Sequence, residues 1–356
     1  MNAGPAVYAI AQPNALGDVI SCLPMACAIK RHDPQAKVVF IGRPYSRPLI
    51  ESSIWVDRYL DADEVKADPQ LLVRAGVGVF LNPHLHQEMG QAARQARVPV
   101  RIGNFVPKAF AWANRYVLQH TSTSQRHRAL LNLHYLRPLG IRSDYPLAEL
   151  GDMLGLESPQ PLDLATKALL DPARFNLVLH PKSNRSGREW PAGNFERLVE
   201  LLPADRVKVF VTGRPNEREQ LLAEGALLGL SDLTDLTGRL DLAGLIALLQ
   251  AADGLISSGT GPLHIAAALG TKALGLFPGR DRITAARWHP LGPQGESLSA
   301  RTRCRPRGGN CPDNYAGEAC ACMLMITPEA VALRVLRWLE AERTQGAGSE
   351  SLRCNR

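Results

Sequence analysis

Gly254 to Gly279, GLISSGTGPLHIAAALGTKALGLFPG, is the stretch of sequence that decides the fold. Two apolar runs enclose a loop of small residues (Ser257 to Gly261) and a helix-forming segment (Leu263 to Leu269). Pro262 at the start of that segment and Gly270 just past it are typical of the two ends of a helix. The order of these pieces predicts strand, loop, helix and strand, which is the repeating unit of a parallel α/β sheet.

The small loop before this helix has two interpretations. A loop without large side chains leaves the backbone N–H groups at the helix start uncovered, and with the helix dipole they form a site for an anion, most often a phosphate. Ser258, Gly259, Thr260 and Gly261 are therefore predicted to bind a phosphate-containing ligand. An ordinary tight turn, in which small residues only permit close packing, explains the same loop.

The composition describes a folded protein with an anionic partner. The chain has 356 residues, of which 45% are hydrophobic and 21% charged, which is enough for two domains with full cores. Its formal net charge of +7 favours a nucleotide, a phosphorylated glycan or an acidic lipid surface as partner. No block of like charge is long enough to form a nucleic-acid-binding arm, so we predict no nucleic-acid partner.

Targeting signals are not recognisable in the sequence. The N-terminal residues MNAGPAVYAIAQPN carry no basic residue ahead of the apolar ones, unlike a signal peptide. No apolar run approaches the ~20 residues of a transmembrane helix. We therefore predict a cytoplasmic protein, with a peripheral position on the inner face of the cytoplasmic membrane as an open alternative.

The seven cysteines do not follow a recognised metal-binding pattern. Cys22 and Cys27 lie in a helix-like stretch, where cysteine is commonly a small core residue. Four others cluster near the C-terminus with the spacing C-x6-C-x8-C-x-C, namely Cys304, Cys311, Cys320 and Cys322. This is not a zinc-knuckle spacing, and loop thiols explain it better than a structural metal. We predict no bound metal.

Strands alternate with helices along the chain, which predicts doubly wound parallel sheets of the α/β class. In the first half, strands are predicted at 6–12, 37–41, 77–81 and 99–102, and helices at 19–31, 87–97, 107–118 and 125–139. After a linker at 151–174, strands follow at 175–180, 207–212 and 233–236, and helices at 193–202, 216–228, 242–251 and 328–342. We therefore predict Rossmann-like domains at 1–160 and 161–345, a disordered tail at 346–356, and a ligand cleft between the two sheets.

The turn after the first strand, Asn14 to Asp18, places a carboxylate at the cleft. It lacks the G-x-G-x-x-G fingerprint, so it is not predicted to bind a dinucleotide. Asp18 can act as a general base for an incoming hydroxyl. It can also simply cap the helix that follows.

The turn after strand 175–180 reads HPKSNRSGREWP and is rich in cations and hydroxyls. Such side chains at the carboxyl end of a strand suit a diphosphate. A solvated basic loop is the alternative, although Trp190-Pro191 anchors its end. The candidate ligands are His180, Lys182, Ser183, Arg185 and Arg188.

Three further turns supply candidate contacts to the same ligand. Glu217 can accept hydrogen bonds from ribose hydroxyls, or it can be an ordinary acid of a first helical turn. The turn that contains Leu236 and Thr237 exposes backbone groups to a nucleobase. His264, in the first turn of the helix after the small loop, can donate to a phosphate or can simply be packed.

Taken together, these motifs resemble glycosyltransferase family 9, whose best-known members are the ADP-heptose:lipopolysaccharide heptosyltransferases. The resemblance covers nearly the whole chain, and its specificity comes from the order of several individually weak motifs. They are Asn14–Asp18 followed by Pro24, His180–Pro191, Leu236–Gly238, Gly259–Gly270, Cys304…Cys311-Pro312 and Cys322…Ile326-Thr327-Pro328.

This resemblance implies a GT-B fold with the acceptor on domain 1–160 and a nucleotide sugar on domain 161–345. It implies inversion at the anomeric carbon without a metal or another cofactor, with Asp18 as the base. Asn14 and Gly17 are then on the acceptor side. The leaving diphosphate is expected to be held by Lys182, Ser183, Arg185, Arg188, Thr260 and Gly261.

The resemblance is incomplete at two positions. Gly259 stands where the heptosyltransferases usually have an Asp that holds sugar hydroxyls, and Arg188 stands where a Lys is common. The leading hypothesis is transfer of heptose from ADP-heptose to an anionic, lipid-linked lipopolysaccharide inner core. The alternatives are a relative that uses another nucleotide sugar or surface glycan, a nucleotide-sugar-binding protein without activity, and a two-domain epimerase of the same general fold.

Overall fold

The computed structural model describes residues 5–118, 126–183, 187–225, 227–279, 283–300 and 321–353. Within these ranges the strands form two six-stranded sheets, and every pairing is parallel. The predicted α/β architecture of two doubly wound sheets is therefore confirmed.

The N-terminal sheet has the strand order β3-β2-β1-β4-β5-β6. Its strands are β1 (Val7–Ala11), β2 (Lys37–Gly42), β3 (Arg58–Asp61), β4 (Val79–Leu81), β5 (Val100–Asn104) and β6 (Arg115–Val117). The helices of this half are α1 (Leu16–His32), α2 (Arg47–Glu51), α3 (Ala62–Ala67), α4 (Gln70–Arg74), α5 (Gln87–Gln95), α6 (Pro107–Phe110) and α7 (Arg128–Leu133).

The C-terminal sheet has the strand order β12-β11-β10-β7-β8-β9. Its strands are β7 (Phe175–His180), β8 (Val207–Val211), β9 (Leu233–Asp235), β10 (Gly254–Ser257), β11 (Lys272–Phe277) and β12 (Gly295–Ser299). The helices are α8 (Leu164–Lys167), α9 (Ala192–Leu201), α10 (Pro215–Glu224), α11 (Leu242–Ala251), α12 (Gly261–Ala268), α13 (Ala285–Trp288), α14 (Ala321–Leu324) and α15 (Pro328–Arg353).

The side chains of the central strands explain why helices cover both faces of each sheet. Along β1, Ala9 and Ala11 belong to one buried cluster, whereas Ile10 belongs to another. Successive side chains of a strand point to opposite faces, so a strand with no polar face must be covered on both sides. This produces the doubly wound arrangement.

Both sheets have the same topology. When each half is numbered from its own first strand, the order is 3-2-1-4-5-6 in both. Strands 1 and 4 are neighbours although they are distant in sequence, and ligands of open α/β sheets bind at this reversal of strand order. In this protein the two reversal points lie at β1/β4 and at β7/β10.

The strands that sequence reasoning did not find, β3, β6 and β12, all lie at sheet edges. An edge strand is covered incompletely, so it need not carry a continuous apolar run. The predicted helix at 107–118 is wrong for this reason: only α6 is helical there, and Arg115–Val117 pairs with β5 instead.

The predictions for the cysteines and for the C-terminal tail are only partly confirmed. Cys22 and Cys27 are buried, as predicted, but Cys322 is also buried and lies in α14 rather than in a loop. Cys304, Cys311 and Cys320 lie outside the described residues. Helix α15 continues to Arg353, so it enters the tail from Gly346 that we predicted to be disordered.

The first turns of α1 and α12 pack directly against each other across the two halves. A Cβ atom at Gly17 would lie 3.2 Å from Cδ2 of His264, and one at Gly261 would lie 2.8 Å from Cβ of Leu16. Glycine at these two positions therefore allows the helix starts to approach closely. This contact brings the two reversal points to one cleft.

Candidate active site

A cleft of about 1080 Å³ lies between the two halves. It is lined by the turns that follow β1, β2, β7, β8, β9 and β10. These are carboxyl ends of parallel strands, where backbone groups and helix starts face a ligand. The predicted cleft is confirmed, and its lining includes the predicted residues Asn14, Asp18, His180, Lys182, Ser183, Glu217, Leu236, Thr260 and Gly261.

Asp18 lies in the first turn of α1, and its carboxylate lines the cleft. The helix is capped at Ala15, without a hydrogen bond from any side chain to the helix start. The capping interpretation of Asp18 is therefore wrong. Burial raises the pKa of Asp18 to about 6, while the nearby cation Arg128 acts in the opposite direction. At this pKa the carboxylate is ionised at neutral pH and still basic enough to accept a proton.

His84 and Arg128, which the sequence did not indicate, lie next to Asp18. His84 follows β4, and its Nδ1 atom is 3.6 Å from Oδ1 of Asp18. The guanidinium of Arg128 lies against the same ring, with Nη2 at 2.9 Å from Nδ1. Burial, reinforced by Arg128, holds the pKa of His84 well below its usual value, so the imidazole is neutral. Asn14 approaches this ring as well, with Nδ2 at 3.5 Å from Nδ1.

The topology explains why His84 reaches the acid. Strand β4 pairs with β1, so the loops at their carboxyl ends are adjacent. The segment NPHLHQ after β4 matches no motif. The position of His84 could have been inferred from one rule. Ligands of open α/β sheets bind where the strand order reverses, between the loops that follow strands 1 and 4.

The basic turn after β7 is held together by an acid that we did not single out, Glu189. Ser183 donates to Oε1 of Glu189 from its backbone N at 2.8 Å and from its hydroxyl at 2.9 Å. Nζ of Lys182 lies 3.4 Å from Oε2 of the same carboxylate and also pairs with Glu224.

The three cations predicted in this turn have different positions. Lys182 lines the cleft, whereas Arg188 is buried outside its lining, and Arg185 lies outside the described residues. The solvated-loop interpretation does not fit a Lys182 side chain that is only 7% exposed.

His180 is a buried neutral base rather than a cation. Its Nδ1 atom lies 3.0 Å from Oγ1 of Thr212. Burial lowers the pKa of His180 to about 4, and nearby Arg214 adds to this effect. His180 therefore reaches the cleft as a hydrogen-bonding group and carries no charge at neutral pH.

The small loop between β10 and α12 is fixed by its own hydroxyls. Oγ of Ser257 and Oγ1 of Thr260 are 2.6 Å apart, and Ser258 Oγ accepts from the backbone N of Trp190 at 2.9 Å. No side chain caps α12, so the helix start at Thr260 and Gly261 faces the cleft without a competing cap. This geometry is suited to an anion.

Gly259 occupies a conformation that only glycine adopts readily. Its φ is +60°, in the left-handed region. A Cβ atom at this position would lie 2.8 Å from Cε1 of Phe277. An acid here would therefore need both a strained backbone and a shift of the Phe277 ring.

Three predicted site residues have structural partners of their own. Glu217 is buried and accepts from the backbone N of Arg214 at 2.7 Å, so it caps α10 while lining the cleft. Thr237 donates to Asp235 from its backbone N at 2.8 Å and is not part of the lining. His264 packs against Trp288, with ring centroids 5.9 Å apart, and against Gly17. The packed interpretation of His264 is therefore confirmed.

Several residues that line the cleft were missed in the sequence. Arg43 and Tyr45 follow β2, and the Tyr45 hydroxyl donates to the backbone oxygen of Asn14 at 2.6 Å. Arg214 adds a third cationic side chain to the lining, beside Arg43 and Lys182. An apolar wall is formed by Leu236, Leu240, Leu242 and Leu245.

The described part of the chain contains no group of three or more His, Cys, Asp or Glu side chains arranged to hold a metal ion. A metal-free site stays a prediction. Among the described helices, none is long and apolar enough to cross a membrane.

Comparison with known proteins points to one family. Residues 98–311 match the sequence model of glycosyltransferase family 9 (heptosyltransferase), and this segment is more than half of the chain. The chain is 27% identical over 124 residues to the lipopolysaccharide core heptosyltransferase OpsX of Haemophilus influenzae. That match covers 34% of this chain and about a third (35%) of the relative's length.

Solved structures show the same fold over nearly the whole chain. A family 9 glycosyl transferase from Veillonella parvula is 16% identical with a TM-score of 0.72, covering 96% of this chain and 99% of that one. The E. coli heptosyltransferase WaaC with ADP is 17% identical with a TM-score of 0.69, covering 93% and 99%. The predicted GT-B fold is thus confirmed.

Proposed function

This chain belongs to glycosyltransferase family 9, and from this premise we propose that it transfers heptose from ADP-heptose to the inner core of lipopolysaccharide. The transfer proceeds with inversion and without a metal. The relatives support the donor class: WaaC has been solved with ADP, and OpsX is described as a lipopolysaccharide core heptosyltransferase. The acceptor is lipid-linked, and the enzyme works at the inner face of the cytoplasmic membrane.

The observation that carries the proposal is the partly buried acid at the cleft. Asp18 has a pKa of about 6 and lies in the first turn of α1. Its carboxylate removes the proton of the acceptor hydroxyl while that oxygen attacks the anomeric carbon from the side opposite the diphosphate. The bond between the anomeric carbon and the diphosphate oxygen breaks at the same time. General-base catalysis of this kind contributes about 10²–10⁴ in rate.

The leaving diphosphate develops negative charge, which α12 and the cations of the cleft are placed to stabilise. The helix start at Thr260 and Gly261 offers backbone N–H groups and the positive end of the dipole. Lys182 supplies a nearly buried ammonium group, which is held in place by Glu189 and Glu224. Arg43 and Arg214 add positive charge on two sides of the cleft. Together they provide fixed charge stabilisation of the departing group.

The apolar wall of the cleft suits the nucleobase of the donor. Leu240, Leu242 and Leu245 lie together at the start of α11, beside Leu236 after β9. An adenine ring buried there gains from the loss of apolar surface to water. Glu217 lines the same cleft, but one of its oxygens is already used to cap α10.

A different sugar is the second candidate, and Gly259 is the observation that favours it. The left-handed φ of Gly259 and the nearby Phe277 ring disfavour, at this position, the acid that holds sugar hydroxyls in the heptosyltransferases. The diphosphate part of the site is unaffected by this difference. The reaction class is therefore supported more strongly than the choice of sugar.

A donor screen tests the proposal. Purified protein is incubated with ADP-heptose, ADP-glucose, GDP-mannose or UDP-N-acetylglucosamine and with a deacylated inner-core acceptor, and products are weighed by mass spectrometry. We expect a product of one heptose added from ADP-heptose, and Asp18→Asn should form it far more slowly. A product from another donor establishes the second candidate. Tight donor binding without any product contradicts the enzymatic assignment.

A further inference from the structure

The basic charge of the protein is concentrated in one segment of the acceptor half. Residues 89–143 contain nine Lys and Arg and no Asp or Glu, a balance of +9. The whole chain carries 41 basic and 34 acidic residues, a balance of +7. The remaining residues therefore carry −2. The positive charge is a local feature of the segment that runs from the middle of α5 through β5, α6, β6 and α7. Five of its nine cations precede Leu118, and one of the other four, Arg128, lies beside Asp18.

The same segment exposes large apolar side chains. Phe105, Phe110 and Leu118 are 55%, 49% and 75% exposed. Phe105 and Phe110 pack edge-to-face against Tyr116 in a three-ring cluster, in which the centroids are 5.2 to 5.8 Å apart. We name Phe105, Phe110, Tyr116 and Leu118 the aromatic patch. Clustered apolar side chains on a surface mark an interaction site, whereas single ones do not.

The aromatic patch rests on a rigid base. The indole of Trp112 is buried beneath it, against Gly90 of α5 and Gly103 of β5. A Cβ atom at Gly90 would lie 2.2 Å from Cδ2 of the indole, and one at Gly103 would lie 2.6 Å from Cη2. Glycine inside a helix costs stability, so its presence at position 90 is explained by the room that the indole needs.

Exposed cations lie on the same short elements as the aromatic patch or reach them. Lys108 lies on α6, between the two phenylalanines in sequence, and Arg115 begins β6. Arg94 reaches the same region, because Nη1 donates to the backbone oxygen of Ala111 at 2.6 Å. Aromatic side chains ringed by Lys and Arg are the composition that binds at an anionic lipid surface, where the rings insert and the cations meet phosphate groups.

The position of the aromatic patch in the fold agrees with that partner. Phe105 directly follows β5, and Leu118 directly follows β6, at the edge of the sheet that also carries Asp18 and His84. Strand β5 lies two strands from β1 in the sheet order, a separation of about 10 Å. A lipid surface in contact with Phe105 therefore lies on the acceptor side of the cleft.

We infer that the aromatic patch and its cations dock the protein on an anionic phospholipid surface, with the mouth of the cleft facing the lipid-linked acceptor. The docking itself rests on the charge and exposure of this segment. The orientation toward the acceptor rests on the proposed function. A protein held in this way meets its acceptor by diffusion within the membrane plane.

Vesicle co-sedimentation of the full chain tests the docking. We expect binding to phosphatidylcholine vesicles that contain phosphatidylglycerol, weak binding to pure phosphatidylcholine, and a loss of binding at high salt. Phe105→Ser/Phe110→Ser should weaken binding about tenfold or more, because the rings no longer insert. Leu164→Ser is the matched control, since Leu164 is 84% exposed but lies on α8 of the other half.

A charge variant keeps the test valid if the serine variant does not fold. Lys108→Glu should lower vesicle binding several-fold, because each basic residue near an anionic surface contributes about fivefold in affinity. Arg197→Glu, at an exposed position on α9, should leave binding unchanged. Equal losses of vesicle binding in the patch variants and in the control variants overturn the proposal. Wild-type binding that does not depend on the charge of the lipid overturns it as well.

Three further outcomes separate this proposal from its rivals. Concentration-dependent self-association that disappears in the Phe105→Ser/Phe110→Ser variant would assign the aromatic patch to a second copy of the chain and overturn lipid docking. Binding of an oligonucleotide in preference to vesicles overturns it as well. Transfer to a deacylated acceptor should be unchanged in both patch variants, so a failure of docking is distinguishable from a failure of the proposed transfer.

Discussion

The two points at which the strand order reverses have the same topology and opposite chemistry. At β1/β4, the N-terminal half presents a partly buried acid, Asp18, beside the neutral ring of His84 and the cation Arg128. At β7/β10, the C-terminal half presents an uncapped helix start at Thr260 and Gly261. One point can take up a proton and the other can hold negative charge. The fold supplies two equivalent ligand positions, and in the proposed transfer a few side chains divide the reaction between them.

The largest effect is expected from replacing Asp18, the acid at the first reversal point, β1/β4. Asp18→Asn keeps the shape of the side chain but cannot accept a proton, so kcat should fall about 10²–10⁴-fold while donor affinity stays the same. Steady-state kinetics and calorimetry with the accepted donor measure the two quantities. Asp63→Asn is the control, because Asp63 is also an acid of a first helical turn but is exposed on α3. Transfer at near wild-type rate in Asp18→Asn would exclude Asp18 as the base.

The same substitution should stabilise the fold at neutral and alkaline pH. The pKa of Asp18 is about 6 in the folded protein, above its ordinary value of 3.8, so the folded state holds the proton more tightly between about pH 4 and 6. The free energy of unfolding of the wild type therefore falls as pH rises through this window. Asp18→Asn removes that penalty, which is at most ~3 kcal/mol above pH 6.

Urea unfolding at pH 8 and pH 4 measures this gain. It should be present at pH 8 and absent at pH 4, where the wild-type carboxyl is already protonated. A gain of equal size at both pH values would mean that the ionised carboxylate is not the source of the penalty.

A smaller effect is expected from the cation beside the acid. Arg128 lowers the pKa of Asp18 against the effect of burial, so Arg128→Met should raise that pKa further. The rising limb of the pH–kcat/KM profile should move to higher pH, with activity recovered at alkaline pH. Arg142→Met, at an exposed position, is the control. A uniform loss of activity at every pH would indicate that Arg128 holds the acceptor rather than tuning the acid.

The smallest effect is expected from Gly259, in the loop at the second reversal point, β7/β10. Gly259→Asp restores the acid that heptosyltransferases usually carry, but it introduces a Cβ beside Phe277 at a left-handed φ. Gly270→Asp is a matched control, because Gly270 has φ +84° and open space around it. Both substitutions should cost about 1–2 kcal/mol of backbone strain, and Gly259→Asp should cost about 1 kcal/mol more. Thermal unfolding measures the difference, and equal costs would show that Phe277 yields freely.

The sequence predicted more of the fold than of the site's internal contacts. The turn Asn14–Asp18 and the β10–α12 unit were predictable, because small residues and helix-end residues fix local structure. His84 was not, since its neighbours come from the pairing of β4 with β1. Glu189 was missed because its role is to hold Lys182 and Ser183, which only the folded loop brings to it.

Residues assigned to a ligand by motif can also serve packing. Gly17 was predicted on the acceptor side, yet its place in the structure is explained by His264, 3.2 Å from where a Cβ would lie. Glu217 caps α10. A motif specifies which residue stands at a turn, and tertiary contacts specify what its side chain meets.

The pH dependence of kcat/KM in the presence of excess chelator tests the central claim most directly. With the donor accepted in the mass-spectrometric screen, we predict that wild-type transfer persists in EDTA and that kcat/KM rises with pH through a midpoint of about 6, the pKa of Asp18. The residual rate of Asp18→Asn should lack this rising limb. Complete loss of wild-type transfer in EDTA, or the same rising limb in Asp18→Asn, would contradict metal-free catalysis with Asp18 as the base.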